Sequence, residues 1–370
     1  MEIKPSNTTN STILDMGVRL QKAINKTGNE YLMLNRGINS VVNINLSHVV
    51  KHINFNSNDI QVYPGGKGKI ELRNAINNEY FANKTNINNI IVTGGGISGL
   101  DICIQNLDIN EILLPPFYWG TYAQLCNLRK LPFSSYKNYQ QLKTAAPKLK
   151  GKAVIICDPG NPLGEKYPDN QLIDLINTLN TNGVTTIFDS PYRRLFFDSS
   201  DTFYKKLLQF ENVIIVESFS KSLGLSGQRI GFIHSTNNNF IGEAALRILY
   251  ATNGVNGFAQ TLITKLLTTN EGKQAVSDFK QKTTADISKN IDFLYQNGIL
   301  ANNFYKESKP LGIFSVVKYS TEQLFRQRIG SVGLDYFVKE PFEGINNYSR
   351  VLVSYPNKKF VSFFQTLLNK

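Results

Sequence analysis

One stretch of the chain joins an apolar run to a lysine among small residues: Val213-Ile-Ile-Val-Glu-Ser-Phe-Ser-Lys-Ser-Leu-Gly-Leu-Ser-Gly-Gln-Arg229. The aliphatic residues from Val213 to Val216 predict a buried strand, and the glycines further on indicate a turn. Lys221 stands among hydroxyl groups, and Arg229 follows it by eight residues. A lysine in this setting can form a Schiff base with an aldehyde cofactor, while hydroxyls and a guanidinium bind a phosphate. The alternative is a solvated lysine in a Ser/Gly loop.

Short apolar runs alternate with amphipathic stretches on both sides of this segment. Strands are predicted at Asn89–Thr93, Glu111–Leu114, Ala153–Cys157, Thr185–Phe188, Val213–Glu217 and Arg229–His234. Helical spacing lies between them, for example from Leu172 to Leu179. This alternation predicts an α/β fold, a three-layer α/β/α arrangement with a mostly parallel central sheet. Ligands bind at the carboxyl ends of the strands in such sheets, so the residues after each run are the candidates for chemistry.

The pattern changes from about Gly272. A long helical stretch reaches Asn290, and the remainder predicts two alternating segments and a closing helix: Ile313–Lys318, Val351–Ser354 and Phe360–Leu368. This part is predicted to be a smaller α+β domain. The predicted organisation is an N-terminal segment (residues 1–45) that joins the small domain, a large cofactor-binding domain (46–270) and the small C-terminal domain (271–370).

Two motifs follow the first predicted strands. The glycine cluster Val92-Thr-Gly-Gly-Gly-Ile-Ser-Gly-Leu100 leads from a strand into a helix, and backbone amides at a helix start suit a phosphate. A plain tight turn is the alternative. Pro115-Pro-Phe-Tyr-Trp-Gly-Thr-Tyr122 offers an aromatic ring, Trp119, that can stack on a flat cofactor. Core packing is the alternative for that aromatic run.

Two further motifs follow the next strands. Asp158-Pro-Gly-Asn-Pro-Leu-Gly164 contains Asn161, and Phe188-Asp-Ser-Pro-Tyr-Arg193 contains Asp189 and Tyr192. The first is also what an ordinary Pro/Gly/Asn turn looks like, and a lone aspartate at a strand end is often a turn or helix cap. The order of these residues ahead of the lysine segment favours a functional role.

Taken together, these motifs resemble those of the class I/II aminotransferases, the pyridoxal phosphate (PLP)-dependent, aspartate aminotransferase-like family of fold type I. The resemblance runs from about residue 35 to the C-terminus and is sharpest between Val92 and Gly231. It implies a PLP cofactor held by Lys221 as an internal aldimine. It also implies transfer of an amino group from an L-amino acid to a 2-oxoacid by a ping-pong mechanism.

The resemblance implies a role for each motif residue. Lys221 would move the proton at the substrate Cα, and Asp189 would keep the pyridine nitrogen protonated. Asn161 and Tyr192 would hydrogen-bond the phenolic oxygen, and Trp119 would stack on the ring. The residues assigned to the cofactor phosphate are Gly95, Gly96, Ile97, Ser218, Ser220 and Arg229.

The resemblance also assigns residues outside this central region. Tyr63 would reach the phosphate bound in the other subunit, which requires a homodimer. Arg350 would grip the substrate α-carboxylate, with Gly37 and Asn161 close to it; a surface strand arginine is the alternative for Arg350. A segment of relatives that shapes the substrate side-chain pocket reads differently here, at 332–338. The sequence identifies no residue for a second, side-chain carboxylate.

Composition excludes some other classes of protein. The chain has 370 residues and a net charge of +12, but its lysines are dispersed. We therefore attribute the charge to a composition rich in Asn, Lys and Ile, as in proteins from AT-rich genomes, rather than to nucleic-acid binding; attraction of anionic substrates is a third interpretation. No run approaches the ~20 apolar residues of a membrane span. The three cysteines are widely spaced, which predicts neither a metal site nor disulfides and fits a reducing cytoplasm. The polar N-terminus lacks the apolar core of a signal peptide, so a cytoplasmic location is predicted.

Other functions stay open on the same motifs. A PLP-dependent lyase, a decarboxylase or a specialised biosynthetic enzyme would share the residues that hold the cofactor. A regulator with an aminotransferase-like domain would need an added DNA-binding domain, and few residues precede Tyr63. An inactive relative is disfavoured because the cofactor residues are all present.

Overall fold

The computed structural model describes residues 1–368. The strands are β1 (Leu32–Met33), β2 (Ile90–Thr93), β3 (Ile112–Leu114), β4 (Phe133–Ser135), β5 (Ala153–Cys157), β6 (Glu165–Lys166), β7 (Thr185–Asp189), β8 (Val213–Ser218), β9 (Gly231–Ser235), β10 (Lys309–Pro310), β11 (Phe314–Val317), β12 (Ile329–Gly330), β13 (Val332–Gly333) and β14 (Ser349–Leu352). The helices are α1 (Thr12–Thr27), α2 (Asn58–Gln61), α3 (Ile70–Phe81), α4 (Gly96–Asn106), α5 (Thr121–Arg129), α6 (Tyr139–Ala145), α7 (Asp169–Thr181), α8 (Arg193–Phe196), α9 (Phe203–Leu207), α10 (Phe219–Ser222), α11 (Asn238–Thr252), α12 (Gly257–Thr268), α13 (Asn270–Gln296), α14 (Thr321–Arg326) and α15 (Asn357–Leu368). Within residues 1–368, no helix combines the length and the apolar character that crossing a bilayer demands.

A seven-stranded sheet forms the middle layer, in the order β2-β9-β8-β7-β5-β3-β4. Only β9 runs antiparallel to its neighbours. In β5, Ile155 joins one apolar cluster and Ile156 joins another, because successive side chains of a strand point to opposite faces. Each face of the sheet therefore has its own core, and the predicted three-layer arrangement with a mostly parallel sheet is confirmed.

Some predicted strand limits differ from the observed ones. β9 begins at Gly231 rather than at Arg229, because Arg229 has a φ of +50° and cannot continue a strand. β8 extends through Ser218, one residue beyond the predicted end. β4 was not predicted, since its three residues are only half-buried and form no apolar run. It pairs in parallel with β3 at one edge of the sheet.

The C-terminal part contains a three-stranded antiparallel sheet in the order β11-β14-β13. The long helix α13 extends further than predicted, to Gln296. The predicted strand at 351–354 begins earlier, at Ser349, so Arg350 lies within β14. The N-terminal strand β1 pairs with β12, which connects the two ends of the chain. The domain limits at residues 45 and 270 stay a prediction.

Candidate active site

A cavity of about 600 Å³ lies at the carboxyl ends of the central parallel strands. It brings together most of the residues predicted from the sequence. The lining includes Gly37, Gly96, Ile97, Trp119, Asn161, Asp189, Tyr192, Ser218, Ser220, Lys221, Arg229 and Arg350. Gly95 borders this set, and Tyr63 is the one predicted residue that lies away from it.

Lys221 lies on α10, directly after β8. The Ser218 side chain caps this short helix by accepting a hydrogen bond from the Ser220 amide. The Lys221 ammonium donates a hydrogen bond to the carbonyl oxygen of Gly37. Burial, together with the nearby charges of three arginines, lowers the pKa of Lys221 to about 8. The neutral, nucleophilic form of this amine is therefore more populated close to neutral pH than in an ordinary lysine.

Asp189 is the last residue of β7, between the parallel neighbours β5 and β8. Its side chain is buried and accepts a hydrogen bond from the hydroxyl of Tyr122. Burial raises the pKa of Asp189 to about 7, against the lowering effect of that hydrogen bond. A buried carboxyl with this environment suits pairing with a protonated ring nitrogen, which would supply the opposite charge.

Sequence reasoning missed Tyr122. Its ring is buried and meets the ring of Trp119 edge-on, with centroids 5.7 Å apart and planes at 80°. Trp119 itself is half-buried on the wall of the cavity. The available signal was the spacing: in the family that the motifs resemble, a tyrosine follows the stacking aromatic residue by three positions, as Tyr122 follows Trp119 here.

Arg350 is the centre of a buried hydrogen-bond network and is only 1% exposed, so the alternative of a surface strand arginine is wrong. Its Nη1 donates to Oδ1 of Asn161 at 3.0 Å, and its Nη2 donates to the carbonyl oxygen of Asn35 at 2.5 Å. Nδ2 of Asn161 donates in turn to the hydroxyl of Tyr192 at 3.3 Å. Nε of Arg350 has no partner within the described residues. The guanidinium therefore keeps a free donor for an anion.

The start of α4, Ser218 and Arg229 surround a cradle that suits a phosphate. A Cβ at Gly95, where φ is +91°, would lie 2.7 Å from Nη2 of Arg229, and one at Gly96 would lie 3.3 Å from Cβ of Ser218. A side chain at either glycine would fill this space. Nη1 of Arg229 is held by the carbonyl oxygen of Ser226 at 2.8 Å. An anion placed here would meet the amino end of an eleven-residue helix as well as a guanidinium.

Tyr63 is 78% exposed and does not line the cavity of its own chain. The sequence-based role for this residue involves a phosphate in a second subunit. That role stays a prediction.

A larger cavity of about 1240 Å³ lies behind α10, against α13. Its lining includes Tyr80, Ser222 and Lys280, and none of the predicted site residues. The smaller cavity is the better candidate for chemistry, because a half-buried lysine, a buried carboxyl and three arginines face it together.

A family model described as "Aminotransferase class I and II" matches residues 29–339. Among curated proteins, the histidinol-phosphate aminotransferase of Pelagibacter ubique is 25% identical over 324 residues, covering 84% of this chain and 85% of that protein. The corresponding enzyme of Buchnera aphidicola subsp. Cinara cedri is 29% identical over 203 residues, which cover 52% of this chain and 55% of that protein. The chain thus spans about half the length of some of the curated relatives that it matches.

Solved structures show the same fold along almost the entire chain. The aspartate aminotransferase of Thermus thermophilus, solved with maleate, superposes with a TM-score of 0.82 at 16% identity and covers 99% of both chains. An aminotransferase of Mycobacterium tuberculosis gives a TM-score of 0.81 at 15% identity, over 99% of this chain and 97% of that one. The expected fold type I is confirmed, and by the extent of the family match this chain belongs to the class I and II aminotransferases, a PLP-dependent family.

Proposed function

We propose that this protein transfers an amino group from an L-amino acid to a 2-oxoacid by a ping-pong mechanism. The observation that carries the proposal is the convergence of the Lys221 amine, the Asp189 carboxyl and Arg350 on one cavity. When bound, PLP supplies an aldehyde for the amine and a ring that withdraws electrons from the substrate Cα. The roles below belong to the residues of this chain.

Lys221 would hold the cofactor covalently and would move the proton at the substrate Cα. Its pKa of about 8 supports both tasks, since an acid or base catalyst works best when its pKa is close to the working pH. The carbonyl oxygen of Gly37 holds the ammonium at the substrate side of the cavity.

Asp189 is proposed to pair with the pyridine nitrogen and keep it protonated. The hydroxyl of Tyr122 holds the Asp189 carboxylate from the other side and fixes its direction. Asn161 and Tyr192 lie within hydrogen-bonding distance of each other, so one oxygen between them could accept from both. That arrangement fits the phenolic oxygen of the cofactor.

The remaining residues bind and orient. The backbone at Gly95, Gly96 and Ile97, with Ser218, Ser220 and Arg229, would hold the phosphate. Trp119 would cover the ring and exclude water. Arg350 would bind the substrate α-carboxylate through its planar fork, close to Asn161 and Gly37.

A homodimer is proposed as the working form. The role assigned to Tyr63 is to bind the cofactor phosphate, and Tyr63 does not line the cavity of its own chain. Its 78% exposure leaves the side chain free to enter a second subunit. The test adds Tyr63→Phe protein, which keeps Lys221, in excess to inactive Lys221→Ala protein, which keeps Tyr63. Activity of the mixture above that of the Tyr63→Phe protein alone would support a site shared between subunits.

The test of the function is the visible absorption spectrum of the protein with PLP, followed by addition of single amino acids. A band that bleaches with one amino acid and returns with 2-oxoglutarate or pyruvate supports amino transfer and identifies the donor. A band that does not return with any oxoacid, although the amino acid is consumed, contradicts it.

A specialised biosynthetic enzyme is the second candidate. The chain is 29% identical over 188 residues to 1-aminocyclopropane-1-carboxylate synthase 3 of Solanum lycopersicum, covering 44% of this chain and 40% of that protein. The residues that hold the cofactor would serve such a reaction equally well. Consumption of an amino acid without any need for an oxoacid would favour this second candidate.

A further inference from the structure

The active-site cavity has more positive side chains than the proposed function uses. Four cationic residues line it: Arg36, Lys221, Arg229 and Arg350. Among its lining residues in the described chain, Asp189 has the only carboxyl group. Lys221, Arg229 and Arg350 are assigned to the covalent link, the cofactor phosphate and the α-carboxylate. Arg36 remains without a role.

The backbone on either side of Arg36 is tied to the catalytic residues. The carbonyl oxygen of Asn35 accepts from Nη2 of Arg350 at 2.5 Å, and that of Gly37 accepts from the Lys221 ammonium. The side chain of Asn35 donates from Nδ2 to the carbonyl oxygen of Ile13 at 2.8 Å. The backbone of Arg36 is thus fixed between Arg350, the proposed α-carboxylate residue, and Lys221.

Close packing also limits how far this segment can move. A Cβ at Gly37 would lie 2.6 Å from Cζ of Phe314 in β11, so the backbone here lies directly against the side chain. The fixed backbone keeps Arg36 among the residues that line the cavity, which also include Ser11, Ile13 and Leu14.

The Arg36 guanidinium itself is uncommitted. Within residues 1–368 it has no hydrogen-bond or ion-pair partner, and the residue is exposed. Its charge is close enough to Lys221 to contribute to the lowered pKa of that amine. A planar guanidinium of this kind suits a carboxylate or a phosphate, which it can bind through two donors.

We propose that Arg36 binds a second anionic group at the far end of the substrate side chain, a carboxylate or a phosphate monoester. This inference rests on the proposed function, since it assumes that Arg350 takes the α-carboxylate. Arg36 would then be the residue that recognises the substrate side chain, which the sequence did not identify. The substrate class is then an amino acid or oxoacid with an acidic side chain.

The test measures equilibrium binding of non-reacting acids to the PLP-loaded protein by calorimetry. The probes are succinate, 3-phosphonopropionate and, as a monoanion of similar length, butyrate. We expect the dianion with the right second group to bind about tenfold more tightly than butyrate, as a partly exposed charge-assisted contact provides. Preference for succinate indicates a carboxylate, and preference for 3-phosphonopropionate indicates a phosphate.

Two variants and a control assign the preference to this side chain. Arg36→Gln should bring the dianion and butyrate within about twofold of each other, and Arg36→Lys should retain part of the preference because the charge stays while the fork is lost. Arg326→Gln, an exposed arginine on α14 outside the cavity, should leave the preference unchanged. Equal binding of all three acids by the unmodified protein, or full preference in Arg36→Gln, overturns the proposal.

The two proposals fail separately. Equal binding of the acids with intact amino transfer overturns the Arg36 proposal alone. A preference that depends on Arg36, in a protein that transfers no amino group, overturns the proposed function and keeps a dianion site.

Discussion

The cavity has two walls of different origin. The wall that we propose to bind the cofactor is formed by Gly96, Asn161, Asp189, Ser218, Lys221 and Arg229, and we call it the cofactor wall; its residues come from short motifs at the ends of strands of one sheet. The wall that we propose to bind the substrate is formed by Arg36, Gly37, Phe314 and Arg350, and we call it the substrate wall; its residues come from the two ends of the chain. A hydrogen bond that spans 315 residues connects Arg350 to Asn35. The motifs of the first wall can each be recognised in the sequence, whereas the second wall joins segments from opposite ends of the chain.

The two walls should respond differently to substitution. Strand ends in the middle of a buried sheet are held by backbone pairing, so changes in the cofactor wall should alter its chemistry more than its shape. The substrate wall depends on side-chain contacts between distant segments. Changes there should alter substrate binding and stability together.

Lys221→Ala should have the largest effect, a loss of amino-transfer turnover of about 10³-fold or more, because it removes both the covalent link and the proton carrier. The variant should still bind PLP weakly through the phosphate. Turnover and PLP affinity are to be measured together. Lys280→Ala, a lysine of the larger cavity, is the matched control. Normal turnover in Lys221→Ala would refute the assignment of the lysine.

Asp189→Asn tests how much ionisation of the buried Asp189 carboxyl lowers the stability of the protein without PLP. The folded-state pKa of Asp189 is about 7 and the ordinary value is 3.8, so the folded protein holds this proton more tightly. Stability should therefore fall as pH rises between about 4 and 7, by roughly 4 kcal/mol at most. Asn keeps an acceptor for Tyr122 and cannot ionise.

Urea unfolding of the PLP-free proteins is the measurement for Asp189→Asn. The variant should be more stable than the unmodified protein at pH 8, and the difference should shrink towards pH 5. It should also bind PLP more weakly. A pH-independent difference would contradict buried ionisation as the cause.

Arg229→Ala and Arg350→Ala should separate the two walls. Arg229→Ala should weaken PLP binding by about 10²-fold and leave the KM for the amino acid nearly unchanged at saturating PLP. Arg350→Ala should raise that KM by a similar factor and change PLP affinity little. Arg350→Lys, which keeps the charge, should recover part of the loss. If both variants changed both constants equally, the division into two walls would be wrong.

Gly37→Ala should have the smallest effect, a destabilisation of about 1–3 kcal/mol from overpacking. The new Cβ would meet Cζ of Phe314 at 2.6 Å, so the substrate wall must shift. Gly242→Ala on α11 is the control, because a Cβ there meets nothing within 4 Å. Thermal unfolding compares the two. Equal stability of both variants would show that the ring of Phe314 moves aside freely.

Prediction from the sequence succeeded where a feature is local. The runs at Ala153 and Val213 are continuous and apolar, and β5 and β8 begin at those residues. β4 was missed because an edge strand is half-buried and needs no apolar run. Arg229 was predicted to begin β9 because the sequence pattern does not show that its φ is positive. Tyr122 was missed because its role depends on Asp189, 67 residues away.

The sequence alone determined the central sheet apart from β4, the lysine segment and the family resemblance, because strand propensity and strand-end motifs act over a few residues. Only the tertiary structure decided that Arg350 is buried, that Tyr122 holds Asp189, and that Arg36 faces the cavity. These facts depend on contacts between segments far apart in the chain, and burial and electrostatic environment arise only when those segments pack together.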